Sequence, residues 1–297
     1  MVSLKINSEQ VQEIINKYQD YQEDNKGEYI IFFAKYFDNI ITIYQSKKGY
    51  KVTFLGDKEI ELAKEIDVDA EKIIKKESFI PKEWVNLDDQ IGSDEVGVGD
   101  FFLPLIVVAA YVKKEDITRL KELGVSDSKK LNDEYILKIG PTLVKEFTYS
   151  KLTLDNALYN ELINKGENIN SMKAKMHNKA LNNLHHKYQD VKNIFIDEFV
   201  KEDTYYRYLT FEEEILRGIT FKNKGESYFP SVALASNIAR YSLLIYKKKL
   251  DEKYHTSFPF GASKNVDEFA KKFIDKFGMD ELKKLVKLNF ANFDKLA

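Results

Sequence analysis

Four acidic residues stand where the sequence predicts strand ends or the start of a helix. Asp94 and Glu95 are adjacent and follow a short apolar segment, and Asp197 ends a second apolar run. Glu226 comes shortly before Pro230, a residue suited to the first position of a helix. Because ligand sites of α/β domains form at the carboxyl ends of strands, these carboxylates could converge there.

Carboxylate oxygens are ligands that Mg²⁺ and Mn²⁺ prefer, and the chain offers no cysteine. Two such ions roughly 3.5 to 4 Å apart serve phosphodiester hydrolysis, because one ionises the attacking water and the other stabilises the leaving oxygen. The four acids therefore suggest a two-metal hydrolytic site. Asp94 and Glu95 alone are equally compatible with an acidic hairpin turn exposed to water.

Neighbouring side chains on a regular strand point to opposite faces of the sheet. Asp94 and Glu95 can therefore reach one metal site only if the strand bends or ends at these residues. Gly97 and Gly99 follow within a few residues, and glycines at this position favour a bend. We expect the strand to bend or to end there.

Two loops have compositions that suit contact with sugar or phosphate. Gly97-Val98-Gly99 allows close approach to the backbone, whereas the lack of Gly-Lys-Ser/Thr and the presence of Phe102 disfavour a phosphate loop and a dinucleotide fingerprint. Residues 126–130 (SDSKK) carry hydroxyl and ammonium groups suited to phosphate, with a solvated turn as the alternative. Ser236, on a predicted helix, could face a ligand or pack against the sheet.

The composition limits the classes of protein to which the chain can belong. The chain has 297 residues, 43% of them hydrophobic, and a formal net charge of -2, so any basic surface must be local. The absence of cysteine excludes disulfides and thiolate metal sites. No apolar run reaches the roughly 18 to 20 residues of a membrane span, and the N-terminus lacks a signal-peptide core. We expect a cytoplasmic protein without membrane association.

The pattern of apolar and turn residues predicts two domains. Residues 1–85 predict a small α+β module for packing, dimerisation or binding, followed by a charged linker over 67–87. Residues 86–297 alternate strands with helices, which predicts an α/β domain with a partly parallel sheet. The elements expected in the first module are helices over 4–19 and 58–66 and strands over 28–36, 40–45 and 50–55.

Three features of the second domain predict particular helices. Gly140-Pro141 predicts the end of a helix that begins near residue 132. Residues 266–289 predict one amphipathic helix. The helix predicted over 170–188 and the residues beside it carry three of the 4 histidines, and their lack of a clean metal spacing favours surface or capping roles.

Four segments, in their order and spacing, resemble the type 2 ribonucleases H. They are 92–100 (GSDEVGVGD), 127–131 (DSKKL), 195–197 (FID), and 225–226 (GE) together with 231–240 (SVALASNIAR). Among these enzymes the chain is most similar to ribonuclease HIII. Glu226 stands where ribonuclease HII has aspartate, and the N-terminal module matches an extension that in ribonuclease HIII resembles the TATA-binding protein.

The resemblance implies a ribonuclease H-like mixed sheet flanked by helices, preceded by the TATA-binding-protein-like module. It implies that Asp94, Glu95, Asp197 and Glu226 are catalytic and bind two Mg²⁺ or Mn²⁺ ions. The implied activity is endonucleolytic cleavage of the RNA strand of an RNA–DNA hybrid, leaving 5′-phosphate and 3′-hydroxyl ends. We expect the chain to act as a monomer.

The resemblance also implies which residues bind the substrate. Gly97-Val98-Gly99 would follow the RNA backbone and recognise 2′-hydroxyl groups, which distinguish RNA from DNA. The N-terminal module would hold the hybrid. The other expected contacts come from Ser128, Lys129, Lys130 and Ser236, with the two lysines on phosphates.

Four residues depart from the family pattern. Leu103 replaces a glycine, so the hairpin is expected to differ in shape, and Glu198 adds a fifth acid beside Asp197. Leu234 and Asn237 vary an alanine-rich helix, and none of these changes removes a catalytic carboxylate. Two alternatives stay open. One is cleavage at a single embedded ribonucleotide, as in ribonuclease HII, and the other is hybrid binding without catalysis.

Overall fold

The computed structural model describes residues 1–24, 27, 29–46, 49–68, 70, 83–125 and 132–296. The chain forms two compact units, Met1–Phe79 and Ile80–Ala297. No helix within the described ranges combines the length and the apolar character that a membrane span requires.

The described residues of the N-terminal unit form an antiparallel sheet and α-helices. The elements are β1 (Val2–Ile6), α1 (Ser8–Tyr18), β2 (Ile30–Tyr36), β3 (Asn39–Ser46), β4 (Gly49–Gly56) and α2 (Glu59–Lys64). The sheet order is β1-β4-β3-β2. Val11 and Ile14 of α1 are buried in one cluster with residues of all these strands, so the unit has its own hydrophobic core.

The first residues form a strand, so the helix expected over 4–19 is wrong at its start. β1 pairs antiparallel with β4 and buries Val2 and Ile6. Helix α1 begins after Asn7, whose side chain accepts from the Gln10 N–H at 2.9 Å while Gln10 Oε1 accepts from the Asn7 N–H at 3.0 Å. This reciprocal cap fixes the helix start and leaves the preceding residues to join the sheet.

The second unit is a mixed sheet flanked by helices, which confirms the predicted fold class. Its strands are β5 (Gln90–Val96), β6 (Leu105–Val112), β7 (Thr148–Leu154), β8 (Asn193–Asp197) and β9 (Ile219–Lys222). Its described helices are α3 (Asp116–Glu122), α4 (Asp133–Glu146), α5 (Asn156–Asn164), α6 (Ile169–His185), α7 (Glu202–Tyr208), α8 (Pro230–Tyr254), α9 (Lys264–Phe277), α10 (Met279–Leu285) and α11 (Ala291–Asp294). The order is β7-β6-β5-β8-β9, where β5, β8 and β9 are parallel and β6 is antiparallel to β5 and β7.

Two helical boundaries differ from the expected ones. α4 continues through Pro141, because Gly140 lets Tyr241 of α8 pack so closely that a Cβ at residue 140 would lie 2.1 Å from the tyrosine ring. Tertiary packing thus overrides the local breaking signal. The C-terminal segment divides at Gly278, whose φ of +84° separates α9 from α10.

The predicted linker over 67–87 falls largely on 71–82, which lie outside the described residues. Just after them, Trp84 is buried in the core of the second unit. Its indole Nε1 donates to the Glu226 carbonyl oxygen at 3.1 Å, and the Val85 N–H donates to the Tyr228 carbonyl oxygen at 3.0 Å. The segment before β5 is therefore packed against the segment that carries Glu226.

The sheet of the second unit lies between α8 on one face and α6 on the other. Along β6, Ile106 belongs to the core beneath α8 and its neighbour Val107 to the core beneath α6. Alternate strand residues thus face opposite helices. Gly92 of β5 permits the approach of α8, because a Cβ there would lie 2.4 Å from Ser231 Oγ. This sandwich fixes the end of β5 between two helices.

Candidate active site

Asp94 and Asp197 lie at the carboxyl ends of neighbouring parallel strands. β5 and β8 pair in register up to Ser93 and Ile196. Asp94 and Asp197 are the next residues on each strand, and side chains at matching positions of parallel strands point to the same face. The structure therefore brings these two predicted site residues together on the face covered by α8.

Glu95 leaves the opposite face of the same strand. β5 pairs regularly with β6 through Asp94↔Val108 and Glu95↔Val107 as far as Val96, so the expected bend at the acids is wrong. The chain turns only afterwards, at Gly97. Glu95 therefore points towards α6 while Asp94 points towards α8, as strand alternation requires.

Asp94 is buried, and no described residue donates a hydrogen bond to it from a cationic group. It is 9% exposed, and it accepts from the Glu95 backbone N–H at 2.7 Å and from the side chain of Ser236. Burial, followed by the charges of Glu95 and Asp197, raises the pKa of Asp94 well above its ordinary value. The fold therefore holds this carboxylate where its negative charge is unfavourable.

Glu95, in contrast, is held by two cationic or polar groups from α6. Lys173, which is 5% exposed, forms an ion pair with Glu95, and His177 Nε2 lies 2.9 Å from Glu95 Oε2. Burial works to raise the pKa of Glu95, but His177 and Lys173 together bring it below its ordinary value. Glu95 is thus ionised at neutral pH.

His177 links Glu95 back to the strand that carries it. Its ring is fully buried, and Nδ1 lies 2.8 Å from Ser93 Oγ. Because a carboxylate only accepts hydrogen bonds, Nε2 must carry a proton towards Glu95, and a neutral ring then accepts from Ser93 at Nδ1. Phe199 stacks on His177 and lies 3.9 Å from the Lys173 ammonium, which closes the network.

Asp197 and Glu226 are joined through a tight turn before α8. The Gly225 N–H donates to Asp197 Oδ1 at 2.8 Å, and Glu226 follows in the same 3-10 turn. Burial raises the pKa of Asp197, with the Glu95 charge adding to the effect against the Gly225 hydrogen bond. Burial likewise raises the pKa of Glu226, and the Asp197 charge contributes. Asp94, Asp197 and Glu226 therefore form an electrostatically strained set.

Ser236 reaches Asp94 because the start of α8 is fastened to β5. Gln90 Oε1 accepts from the Ser231 hydroxyl at 2.9 Å and from the Ser231 N–H at 3.2 Å. Arg240, one turn beyond Ser236, forms a two-pronged ion pair with Asp133, with both N–O distances 2.8 Å. A cleft of about 250 Å³ opens beside the acids, lined by Glu95, Val96, Asp133, Ile136, Ser236, Asn237 and Arg240.

The carboxylates of Asp94, Asp197 and Glu226 suit a hard divalent cation, although in this structure their oxygens are not close enough together to bind one ion. Within the described ranges, no three acidic or histidine side chains are grouped closely enough to hold an ion. Asp94, Asp197 and Glu226 nevertheless supply carboxylate oxygens, and burial together with repulsion from neighbouring carboxylates raises the pKa of each. Bound Mg²⁺ or Mn²⁺ would relieve that repulsion, and both ions prefer oxygen ligands.

Three of the remaining predicted substrate residues lie in the loop between β5 and β6. Gly97 is buried, Val98 is half-buried and Gly99 is exposed, so the tip of this loop faces solvent. Three predicted contacts, Ser128, Lys129 and Lys130, lie outside the described residues. Two departures from the family pattern have clear positions: Leu103 is fully buried in the core, and Glu198 forms an ion pair with Lys201 at 2.6 Å.

The sequence assigns no defined role to Lys173 or His177, although residues 173–178 resemble a helix of the family. The surface role favoured for the histidines is wrong for His177, which is 0% exposed. The available signal was the i, i+4 spacing of Lys173 and His177, which places both side chains on one helical face. Their partner Glu95 is remote in sequence, so the spacing alone did not indicate what they bind.

Comparison with known proteins shows the family. Residues 91–293 match the family model described as Ribonuclease HII, and residues 1–77 match one described as a domain of unknown function. The chain is 40% identical to ribonuclease HIII of Bacillus cereus strain 03BB102 over 99% of this chain and 97% of that protein. The relative is thus matched almost from end to end.

Solved structures agree with the sequence comparison. A crystal structure of Bst-RNase HIII in complex with Mn²⁺ matches with a TM-score of 0.69 and 33% identity, covering 99% of this chain and 97% of that chain. Aquifex aeolicus RNase H3, at 23% identity and a TM-score of 0.54, covers 97% of this chain and 99% of that chain and shows the shared fold. The chain belongs to the ribonuclease HIII family, within the type 2 ribonucleases H that its sequence segments resemble.

Proposed function

We propose that this chain is an endoribonuclease that hydrolyses the RNA strand of RNA–DNA hybrids. The observation that carries the proposal is the pair Asp94 and Asp197 at adjacent strand ends, in a chain of this family. An exposed acidic turn does not fit a carboxylate that is 9% exposed. Carboxylates kept for stability alone are expected to be compensated by protein cations, and burial with a raised pKa instead favours a functional role.

The proposed ligands of two Mg²⁺ or Mn²⁺ ions are Asp94, Glu95, Asp197 and Glu226. Glu95 leaves the opposite face of β5 from Asp94, but the strand ends one residue later, at Val96, and the charge of Glu95 acts on Asp197. Mn²⁺ is present in the related Bst-RNase HIII structure. When bound, the ions supply an ionised water and stabilise the leaving oxygen, so that hydrolysis leaves 5′-phosphate and 3′-hydroxyl ends. The chain prepares the ligands for this chemistry, because His177 and Lys173 keep Glu95 ionised and the Gly225 N–H orients Asp197.

The substrate is proposed to enter along the cleft beside Glu95. Ser236 and Arg240 line this cleft. Ser236 donates its one hydroxyl proton to Asp94 and can accept from a sugar hydroxyl, and the Arg240 N–H groups that do not bind Asp133 can donate to a phosphate. The exposed tip of Gly97-Val98-Gly99 is proposed to recognise 2′-hydroxyl groups. The family resemblance alone supports phosphate contacts by the predicted loop residues Ser128, Lys129 and Lys130.

We propose a functional division into residues 1–85, which resemble the TATA-binding protein and hold the hybrid, and 86–297, which cleave it. The separate core of the first unit supports an independent role. The variant that tests this role lacks residues 1–79. It keeps Trp84, because Trp84 is buried in the second unit. We expect the truncated protein to fold and to bind the hybrid more weakly, as measured by fluorescence anisotropy. An unchanged affinity contradicts the proposed role of the N-terminal unit.

The same proposal makes the chain a monomeric cytoplasmic enzyme. One chain supplies all four proposed ligands, so catalysis requires no second copy.

The proposal is tested by cleavage of an end-labelled RNA–DNA hybrid with Mg²⁺, with Mn²⁺ or with a chelator. We expect internal RNA cleavage with a metal ion and none with the chelator. Asp197→Asn should reduce the rate about 1,000-fold or more, the equivalent of about 4 kcal/mol, while hybrid binding persists. Asp190→Asn, at an exposed acid just before β8, is the matched control.

Two results would count against the proposal. Asp197→Asn with the wild-type rate would remove the metal-site assignment. Faster cleavage of a duplex with one embedded ribonucleotide than of the hybrid would favour the ribonuclease HII-like activity.

A further inference from the structure

A lysine is buried at the base of the loop that joins β5 to β6. Lys287 is 0% exposed, and its Nζ donates to the carbonyl oxygens of Gly97, Asp100 and Leu103 at 2.7, 2.6 and 2.7 Å. An ammonium group has three N–H donors, so these carbonyls use all of them. Burial lowers the pKa of Lys287 to about 8, which still leaves it protonated at neutral pH.

The three carbonyls determine the shape of the loop over 97–104. Gly97 has a φ of +87°, and a Cβ there would lie 1.9 Å from the Pro104 carbonyl oxygen, so the turn requires glycine. Lys287 draws the carbonyls of both loop ends inward to one point. Without it, these buried oxygens would lose their charged donor, and leaving buried acceptors unsatisfied is costly.

The backbone around Lys287 is itself fastened on both sides. Asn160 Nδ2 donates to the Val286 carbonyl oxygen at 2.8 Å, and Asn160 Oδ1 accepts from the Leu288 N–H at 2.9 Å. The Lys287 N–H donates to the Phe101 carbonyl oxygen at 3.0 Å, within the same loop. These hydrogen bonds fix the backbone of Lys287, and the backbone in turn places the ammonium group at the end of the long side chain.

We propose that Lys287 is a positioning residue for recognition of the RNA strand. By holding the carbonyls inward, it presents the backbone around Gly99, the exposed part of the loop, to the ribose. This inference rests on the proposed function, because it requires the loop to contact RNA. Lys287 itself is fully buried and does not touch the substrate.

The test compares binding of an RNA–DNA hybrid with binding of a DNA duplex of the same sequence. Lys287→Met is made in the Asp197→Asn background, where binding is measured without turnover. We expect the preference for the hybrid to fall about tenfold, because the loop loses its shape while the rest of the surface stays. Lys284→Met, which removes an exposed lysine from α10, should leave the preference unchanged.

Two further variants separate positioning from general destabilisation. Leu184→Ala, a buried change on α6 away from the loop, should lower the melting temperature and keep the hybrid preference. If Lys287→Met does not fold, Asn160→Ala replaces it, because this change frees the backbone on both sides of Lys287 and keeps the ammonium. An unchanged hybrid preference in the folded variant overturns the inference.

Failure of the proposed function has a different signature. A wild-type chain that binds hybrid preferentially but does not cleave it contradicts the proposed activity and leaves the role of Lys287 testable. A wild-type chain without any preference for the hybrid overturns the inference about Lys287 directly.

Discussion

The neighbouring residues Asp94 and Glu95 differ more in their surroundings than their shared sequence position suggests. Asp94 faces α8, where the Ser236 side chain is its partner and where burial raises its pKa. Glu95 faces α6, where Lys173 and His177 lower its pKa despite burial. Among the described residues, Glu95 has cationic or polar partners that compensate its charge, whereas Asp94 has no cationic partner.

If both residues are metal ligands, as proposed, one strand supplies two kinds of ligand. A carboxylate paired with a lysine is ionised and in place before any metal arrives, but part of its attraction for cations is already used. A carboxylate beside other carboxylates destabilises the metal-free fold and gains most when a cation binds. Function should therefore need both residues, whereas stability should respond to them with opposite sign.

The largest expected effect is on catalysis and is the same for both residues. Asp94→Asn and Glu95→Gln should each reduce hybrid cleavage about 1,000-fold or more, equivalent to about 4 kcal/mol of transition-state stabilisation. Initial rates over a range of Mg²⁺ concentrations measure the loss. If Glu95→Gln keeps substantial activity while Asp94→Asn does not, Glu95 is a structural partner of Lys173 and not a ligand.

The next effect concerns stability on the α6 side. Glu95→Gln should destabilise the metal-free second unit by about 3 kcal/mol, because it leaves the buried Lys173 ammonium without its counter-charge. Thermal unfolding with chelator present measures this as a fall of roughly 6 to 12 °C. Glu146→Gln, which removes an exposed partner of Arg119, is the control and should change little. An equal loss in both variants would contradict the importance of burial.

A smaller effect of opposite sign is expected on the α8 side. Asp94→Asn should stabilise the metal-free protein at neutral pH by about 1 kcal/mol, because it removes a charge that burial and neighbouring carboxylates disfavour. The raised pKa means that the folded chain binds this proton more tightly than the unfolded chain does. The stability that Asp94 contributes is therefore present below its unfolded pKa and is lost as the pH rises through its folded pKa.

Low pH and added Mg²⁺ provide the controls for the stability gain expected of Asp94→Asn. At low pH, where Asp94 is protonated, the two proteins should have similar melting temperatures in chelator. With Mg²⁺ present, the wild type gains stability from binding and the advantage of Asp94→Asn should shrink. A variant that is less stable than wild type at neutral pH in chelator would show that the charge of Asp94 is compensated after all.

The positions of the acids along the chain could be predicted from the sequence, because apolar runs mark the strands. Asp197 ends β8 and Asp94 lies near the end of β5, as the apolar pattern indicates. The direction of each side chain follows from strand alternation, so the opposite orientations of Asp94 and Glu95 could also be predicted from the sequence. The expected bend was wrong because it assumed that both acids must share one face.

The partners of the acids could not be predicted, because they depend on long-range packing. His177 lies on a helix 82 residues after Glu95, and only the folded sheet shows that α6 covers that face. Lys287 lies 190 residues after Gly97 in a segment whose pattern predicts an ordinary amphipathic helix. Charged residues in such patterns are expected at the surface, so the sequence gives no sign that these two are buried.

The smallest expected effect tests the hydrogen bond behind Glu95. Ser93→Ala removes the partner of His177 Nδ1 and should cost about 0.5 to 1 kcal/mol. Because Nδ1 then lacks a hydrogen-bond donor, the His177 ring exchanges more readily between its two tautomers. In the tautomer with its proton on Nδ1, Nε2 no longer donates a hydrogen bond to Glu95. Nitrogen NMR of the histidine ring measures the tautomer directly. Ser150→Ala, which removes the Asn183 hydrogen bond between β7 and α6, is the matched control and should leave the His177 tautomer unchanged. If Ser93→Ala also leaves the His177 tautomer unchanged, Glu95 alone orients the ring. The Ser93 hydrogen bond then does not contribute to holding His177 against Glu95.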